Sequence, residues 1–201
     1  METTEQATDA VAEQSSRERI LATAWSLFAA EGYAEVSMQT IADAAKVNKA
    51  TLYHHFRDKE QLIVAVLEYD FEQMRSAIER SIQADGSFRS HLVAIANILF
   101  ERSRTHSLKM MMLMHQNASL MLRYKTERMK TTPPWAALKP LFEQEMATGE
   151  IERLDLDLLM TSFFGMVIFQ AQRARFLGCD MPDEQLAEDL VNLFLNGIRV
   201  R

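Results

Sequence analysis

The stretch Lys46 to Phe56, KVNKATLYHHF, gathers two lysines, a threonine, a tyrosine and two adjacent histidines within eleven residues. Side chains of these types can ligate a metal, move protons, or hold phosphates and base edges by hydrogen bonds, and their spacing decides among these chemistries. Neighbours on a helix point about 100° apart, so His54 and His55 cannot both face one metal or substrate as an i, i+4 pair would. No zincin-like His pair, CxxC, Walker loop or GxSxG accompanies them. A solvated helix face is the ordinary reading of an isolated Lys49 or His54, but the neighbourhood has one sign of charge. Lys46, Lys49, Arg57 and Lys59 stand against Asp58 alone, in a chain of formal net charge −6. An acidic chain with a local cationic patch is not drawn to nucleic acid as a whole, and only that small face can meet phosphates. Thr51 and Tyr53 add hydroxyls of the kind that fix a protein on a phosphate backbone.

Three short elements position that patch. Residues 1–14 are polar, acidic and aperiodic, which reads as a disordered arm. Ser15 and Glu18 form a capping-box pattern, after which Ile20, Ala24, Leu27 and Phe28 recur at helical spacing until Gly32 stops the run. Ser37 caps a second helix through Ala45, with Met38, Ile41 and Ala42 on its inner face. Lys46 and Val47 turn the chain. Asn48 then caps a third helix that points Leu52 and Phe56 inward and leaves Lys49, Ala50, Thr51, Tyr53 and His54 outward. Small residues at the crossing, Ala42 and Ala45, suit helix-turn-helix packing, in which the second helix enters the major groove by its first turn, here Lys49 to Thr51.

The pattern G32-Y33, S37-M38-x-x-I41-A42, A45-K46-V47-N48-K49-A50-T51-L52-Y53-H54-H55-F56 and K59-E60-x-L62 resembles the N-terminal domain of the TetR family of transcriptional regulators. The resemblance covers about the first third of the chain. It implies a DNA-binding head over residues 15–58, followed by a ligand-binding and dimerisation domain over residues 59–201 that begins with a linking helix at 59–82. It also implies that Ser37 and Thr40 lie near phosphate, that Lys49, Ala50 and Thr51 line the groove, and that Tyr53 and His54 touch backbone or bases. Lys59 would clamp a phosphate, while Ile41, Leu52 and Phe56 would be core and His55 a packing residue. Three positions depart from the family pattern. Lys46 stands where Gly is frequent, at a strain of about 1 kcal/mol if its φ is positive, and offers one more cation to the backbone. Asn48 stands where Ser is frequent, and Val36 replaces a frequent Thr and so offers no hydroxyl.

The remainder reads as all-α. The 201 residues are 48% hydrophobic with 6 Gly and 4 Pro, and good helix formers dominate. The single Cys179 forms no intrachain disulfide, and neither a leader nor a bilayer span is evident, so a cytoplasmic protein is expected. Apolar spacing predicts helices from Lys59 to about Ile82, Phe88 to Thr105, Ser107 to Asn117, Ser119 to Lys130, Trp135 to Thr148, Asp157 to Leu177 and Asp183 to Ile198. The last two are apolar all round and need cover on two sides. Either they form the centre of a monomer's core, or a second copy covers them as an isologous four-helix interface with Phe164, Ile168, Leu190 and Phe194 at the contact; the homodimer is the expectation.

Between Leu108 and Met129 lie six of the 13 methionines, whose flexible thioethers adapt to varied apolar shapes. Family architecture turns this cluster into an expected pocket lined by Phe100, Met110, Met114, Trp135, Phe163 and Met166, with His115 and Asn117 as polar anchors. The functional expectation is a repressor that binds a palindromic DNA operator as a homodimer and is released by a small apolar or amphipathic molecule. It needs no cofactor, metal or membrane. The alternative is a DNA-binding regulator with no small-molecule effector. An all-α enzyme would require paired carboxylates or a Glu-x-x-His pattern facing into a bundle, and none is found.

Overall fold

The computed structural model describes residues 2–104, 120, 122–124, 126, 132–177 and 184–198, with the backbone alone for 2–14, 104 and 174–177. The described elements are helical: α1 (Glu2–Glu31), α2 (Met38–Ala44), α3 (Lys49–His55), α4 (Lys59–Gln83), α5 (Phe88–Arg104), a 3-10 turn (Pro134–Leu138), α6 (Lys139–Thr148), α7 (Leu156–Leu177) and α8 (Glu184–Ile198). None of the described helices is long and apolar enough to cross a membrane. The chain divides into two compact units, one of Met1–Asp70 with Lys109–Thr131 and one of Phe71–Leu108 with Thr132–Arg201.

In the first unit α1 packs on α2 and α2 on α3. The helix α1 starts at Glu2, not at Ser15, so residues 2–14 are helical where composition suggests a disordered arm. Those residues lack an apolar stripe, but they are rich in Ala, Glu and Gln and contain no Gly or Pro, so nothing in them stops a helix running back from Ile20. Ser15 is therefore an interior residue whose Oγ accepts a hydrogen bond from Arg19 Nη1 at 3.3 Å, and it caps nothing. Gly32 ends α1 at φ 95, a left-handed conformation that glycine adopts without Cβ strain.

The core of the head is built from Ile20, Leu21, Ala24, Phe28, Ile41, Ala42, Leu52 and Phe56, each at most 2% exposed. Val36 joins them at 1% exposed, so its lack of a hydroxyl serves packing. The start of α4 belongs to this unit as well. Leu62 to Leu67 are buried in unbroken succession, which an amphipathic helix with a single covered stripe cannot achieve. The expected boundary at residues 58 and 59 thus falls inside a compact body that also takes residues 109–131, where Leu120 and Tyr124 are buried.

In the second unit α5 packs against α7 and α8, and α6 against α7. The single helix expected from Trp135 to Thr148 is instead a 3-10 turn followed by α6. Pro140 explains the break: it has no N–H, and its ring would strike the carbonyl of Ala136 in a continuous α-helix, so it must stand in the first turn of a new one. Gly149 closes α6 at φ 80, with the Glu150 N–H donating to the Glu145 carbonyl at 3.2 Å.

Three of the four expected interface positions lie mostly within this chain's own core. Phe164, Leu190 and Phe194 are 8%, 6% and 7% exposed within this chain's own core, and Ile168 is half-buried against it. Phe194 lies 5.3 Å from Phe163 and 6.1 Å from Phe142 between ring centroids. Among the described side chains, the large apolar residues left outward on α7 and α8 are Leu158, Phe169 and Leu193. A helix apolar all round has no periodic mark that separates its inner stripe from its outer one.

Candidate nucleic-acid interface

Each short helix of the head is started by a side chain that occupies an otherwise orphaned backbone donor. Ser37 Oγ accepts from the Thr40 N–H at 3.0 Å and lies 2.8 Å from Thr40 Oγ1, pairing the two hydroxyls at the exposed beginning of α2. Asn48 Oδ1 accepts from the Thr51 N–H at 2.7 Å and from the Thr51 hydroxyl at 2.9 Å. The Thr51 hydroxyl proton is thereby committed to the cap, which leaves its oxygen as an acceptor rather than as the donor to phosphate that sequence suggests. Between the helices Lys46 takes φ 54, the one left-handed non-glycine among the described residues. Sequence anticipates that conformation from the family's glycine, and Lys46 keeps an exposed ammonium there.

On α3 the buried side chain is Leu52, while Lys49, Ala50, Tyr53 and His54 are exposed and Thr51 is half-buried. Lys49 Nζ sits 5.8 Å from the Tyr53 ring centroid one turn on, which pre-positions both groups. The His54 and His55 rings meet edge to face at 5.5 Å, and His55 in turn packs 6.1 Å from Phe56. Lys59 is placed differently from an open clamp. Its Nζ lies 4.4 Å from the Tyr33 ring centroid and donates to the Ala34 carbonyl at 3.3 Å. Burial lowers the pKa of this ammonium and Glu35 opposes that shift. Burial raises the pKa of the Tyr33 hydroxyl, and Glu60 and Asp58 push it in the same direction.

Only Phe56, Arg57 and Asp58 separate α3 from α4. Asp58 Oδ1 accepts from the Gln61 N–H at 2.7 Å, and Gln61 Oε1 accepts from the Arg57 N–H at 2.8 Å, a reciprocal cap on α4. Arg123 Nη1 reaches the same carboxylate at 2.9 Å and Glu60 Oε2 at 3.7 Å. Partial burial works against the Asp58 charge, but the Gln61 N–H and the Arg123 and Arg57 guanidiniums prevail and hold its pKa below the usual carboxylate value. The guanidinium of Arg17 lies 5.6 Å from the Phe56 ring centroid. Neither Arg17 nor Arg123 is suggested by the sequence motif. Arg123 stands 65 residues from Asp58, and no local pattern marks such a partner.

Of the expected pocket residues, Phe100 and Phe163 are buried in the second unit's core, with Trp135 and Met166 half-buried against it. Met110, Met114, His115 and Asn117 lie outside the described residues. Among the described residues no group of three or more His, Cys, Asp or Glu side chains is placed to hold a metal.

Comparison with known proteins bears on this geometry. Residues 20–66 match the family model for bacterial regulatory proteins of the tetR family. Over 188 residues the chain is 24% identical to YvkB of Bacillus subtilis, an uncharacterized HTH-type transcriptional regulator, covering 91% of this chain and 97% of that one. A structure assigned to the TetR-family transcriptional regulators of Mesorhizobium loti superposes with a TM-score of 0.76 at 25% identity, over 94% of this chain and 98% of that one. The transcriptional regulator FadR of Bacillus subtilis, in complex with stearoyl-CoA, superposes with a TM-score of 0.72 at 21% identity, over 90% and 99% of the two chains.

Proposed function

The chain belongs to the TetR family of transcriptional regulators, and from that membership we propose that it is a ligand-responsive repressor. It binds a palindromic operator as a homodimer and leaves it when a small apolar or amphipathic molecule is bound. The observation that carries the DNA-binding part is the division of α3, which gives Leu52 to the core and exposes Lys49, Ala50, Tyr53 and His54 behind a satisfied Asn48 cap. A short capped helix with a lysine exposed in its first turn is suited to a major groove.

Two heads read two half-sites only when their recognition helices stand about one DNA turn, ~34 Å, apart or at a suitable multiple. Leu158, Phe169 and Leu193, exposed on α7 and α8, support a homodimer that sets this distance. A ligand that favours another spacing weakens operator binding by the same factor by which DNA weakens ligand binding, typically about 5- to 150-fold. Phe100, Trp135, Phe163 and Met166 offer apolar and polarizable surface for an amphipathic molecule. The stearoyl-CoA held by FadR is a molecule of that class. The reading without an effector draws support from the full burial of Phe100 and Phe163, which already fill their places.

The experiment begins by enriching an operator from random DNA with the purified dimer. Gel shifts on that operator then follow a titration with long-chain acyl-CoA and a panel of apolar acids and drugs. Release by one of these compounds is the expected result. Tight operator binding that no compound alters, with no thermal shift in the panel, would favour the regulator without an effector, and failure to enrich any sequence would overturn the DNA-binding reading.

A further inference from the structure

We propose that Arg123 is a positioning residue for operator recognition: by gripping Asp58 and Glu60 it fixes the corner that aims α3. This rests on reading α3 as the helix that enters the groove. The corner is short, since α3 ends at His55, Phe56 adopts extended backbone at φ −138 and ψ 109, and α4 begins at Lys59. With so few residues between the helices, the pose of α3 follows whatever holds the first turn of α4. Two things hold it. One is local, the reciprocal Asp58 and Gln61 cap. The other is Arg123, whose guanidinium lies 2.9 Å from Asp58 Oδ1 and 3.7 Å from Glu60 Oε2.

The burial of the partners indicates positioning rather than a casual surface pair. The Arg123 side chain is 19% exposed, against 39% for Asp58 and 47% for Glu60. A long side chain held down over most of its length has already lost its rotamer freedom, and its head is aimed by packing. Sites that must place a recognition group to within about 0.5 Å rely on such supporting contacts. Arg123 also sits between two carboxylates that flank Lys59 in sequence, so it neutralises negative charge beside that cation, which the Ala34 carbonyl and the Tyr33 ring hold to the head. The two effects of Arg123 can be separated, because removing the Asp58 charge undoes the grip but also removes the repulsion.

The test uses the full chain and the operator enriched with the wild-type protein. Binding to that operator and to random-sequence DNA is measured for Arg123→Gln, Arg123→Lys, Asp58→Asn and the double variant Arg123→Gln with Asp58→Asn. Asparagine is as good a helix cap as aspartate, so Asp58→Asn keeps the first turn of α4 and remains informative if Arg123→Gln lowers the melting temperature. Each single charge-removing variant should cut the ratio of operator to random-DNA affinity about tenfold, and the double variant no further than either single, because both break one contact. Arg123→Lys should restore part of the ratio. The salt slope should stay at the wild-type value, since no phosphate contact is lost. If Asp58→Asn raises operator affinity with the ratio intact, Arg123 acts by neutralisation and the proposal fails. Losses in the double variant that multiply, or a salt slope flattened by about 0.9 in Arg123→Gln, also overturn it. Failure of the wild type to enrich any DNA would remove the DNA-binding reading and this inference together, whereas enrichment with unaffected variants removes this inference alone.

Discussion

The helices α3 and α7 both turn large side chains to solvent, but of opposite kinds. On α3 the exposed groups are Lys49, Tyr53 and His54, and the helix buries Leu52. On α7 the residues Leu159, Met160, Phe163, Phe164, Val167 and Ala171 fill the core, and Leu158 and Phe169 still stand 57% and 68% exposed. Leu158, Ser162, Gly165 and Phe169 fall on one stripe at i, i+4, i+7 and i+11, and Leu193 on α8 is 66% exposed. Polar exposure costs nothing in water and is stabilised by phosphate. Apolar exposure forfeits about 25 cal/mol for each Å² left uncovered, so it favours a second protein surface. One helix presents a polar, cationic face to solvent, the other an apolar one.

A carboxylate placed on each side of the same bundle tests that contrast most severely. Leu190 is 6% exposed, and Leu190→Glu should destabilise the second unit by more than about 4 kcal/mol, seen as loss of helical circular dichroism at room temperature. Phe169→Glu should leave the fold and its melting intact but yield a monomer in sedimentation, with operator affinity reduced to that of a single half-site. A dimer that survives Phe169→Glu would remove the outer stripe from the interface.

The exposed side of α3 predicts a smaller loss with no change of assembly. Lys49→Ala should weaken operator binding about tenfold, equivalent to about 1.4 kcal/mol, and flatten the salt slope by about 0.9. Tyr53→Ala should weaken binding while preserving that slope if its contact is to a base, and both variants should sediment as the wild type does. If either variant dissociates the dimer, the division of labour between α3 and α7 fails.

What can be read from sequence follows the range of the interaction that decides it. The caps at Ser37 and Asn48 and the inward Leu52 and Phe56 depend on residues within four positions of one another, so the sequence displays them directly, whereas the left-handed Lys46 is anticipated only from the glycine frequent there in the family. The start of α1 escapes the sequence because burial, not helicity, leaves a periodic mark, and residues 2–14 carry helix formers such as Ala, Glu and Gln without an apolar stripe in their sequence. The inner and outer stripes of α7 cannot be distinguished because both are apolar; only the packing of α5 and α8 selects Phe164 for the core and leaves Phe169 outside. The grip of Arg123 on Asp58 is invisible for a different reason. It depends on how residues 109–131 return to the head, and a basic residue in a helical segment looks the same whether it is solvated or paired.

Within the head the caps offer a finer test. Asn48 Oδ1 holds both the Thr51 N–H and the Thr51 hydroxyl, so Asn48→Ala should cost about 1 kcal/mol of head stability. Hydrogen exchange should then quicken in α3 while α7 keeps its protection, because the loss is local. The same change frees the Thr51 hydroxyl to donate, and if operator affinity rises despite the looser helix, Thr51 binds phosphate better without its cap. Asn48→Ser, which keeps an oxygen at the cap, should retain the stability.

The smallest effect is expected at Lys46, where stability and binding pull in opposite directions. At φ 54 a lysine carries roughly 1 kcal/mol of strain that glycine would not, but glycine also gains freedom in the unfolded chain worth about 0.5–1 kcal/mol. Lys46→Gly should therefore shift the melting temperature by no more than a few degrees, upward if relief of the strain outweighs the added freedom. Operator affinity should fall and the salt slope flatten by about 0.9, because an exposed ammonium beside α3 is gone. Lys46→Ala separates the two contributions, since it keeps the strain and loses the charge. If Lys46→Ala binds the operator as the wild type does, the lysine here is a strained turn residue without a phosphate, and the cationic face begins at Lys49.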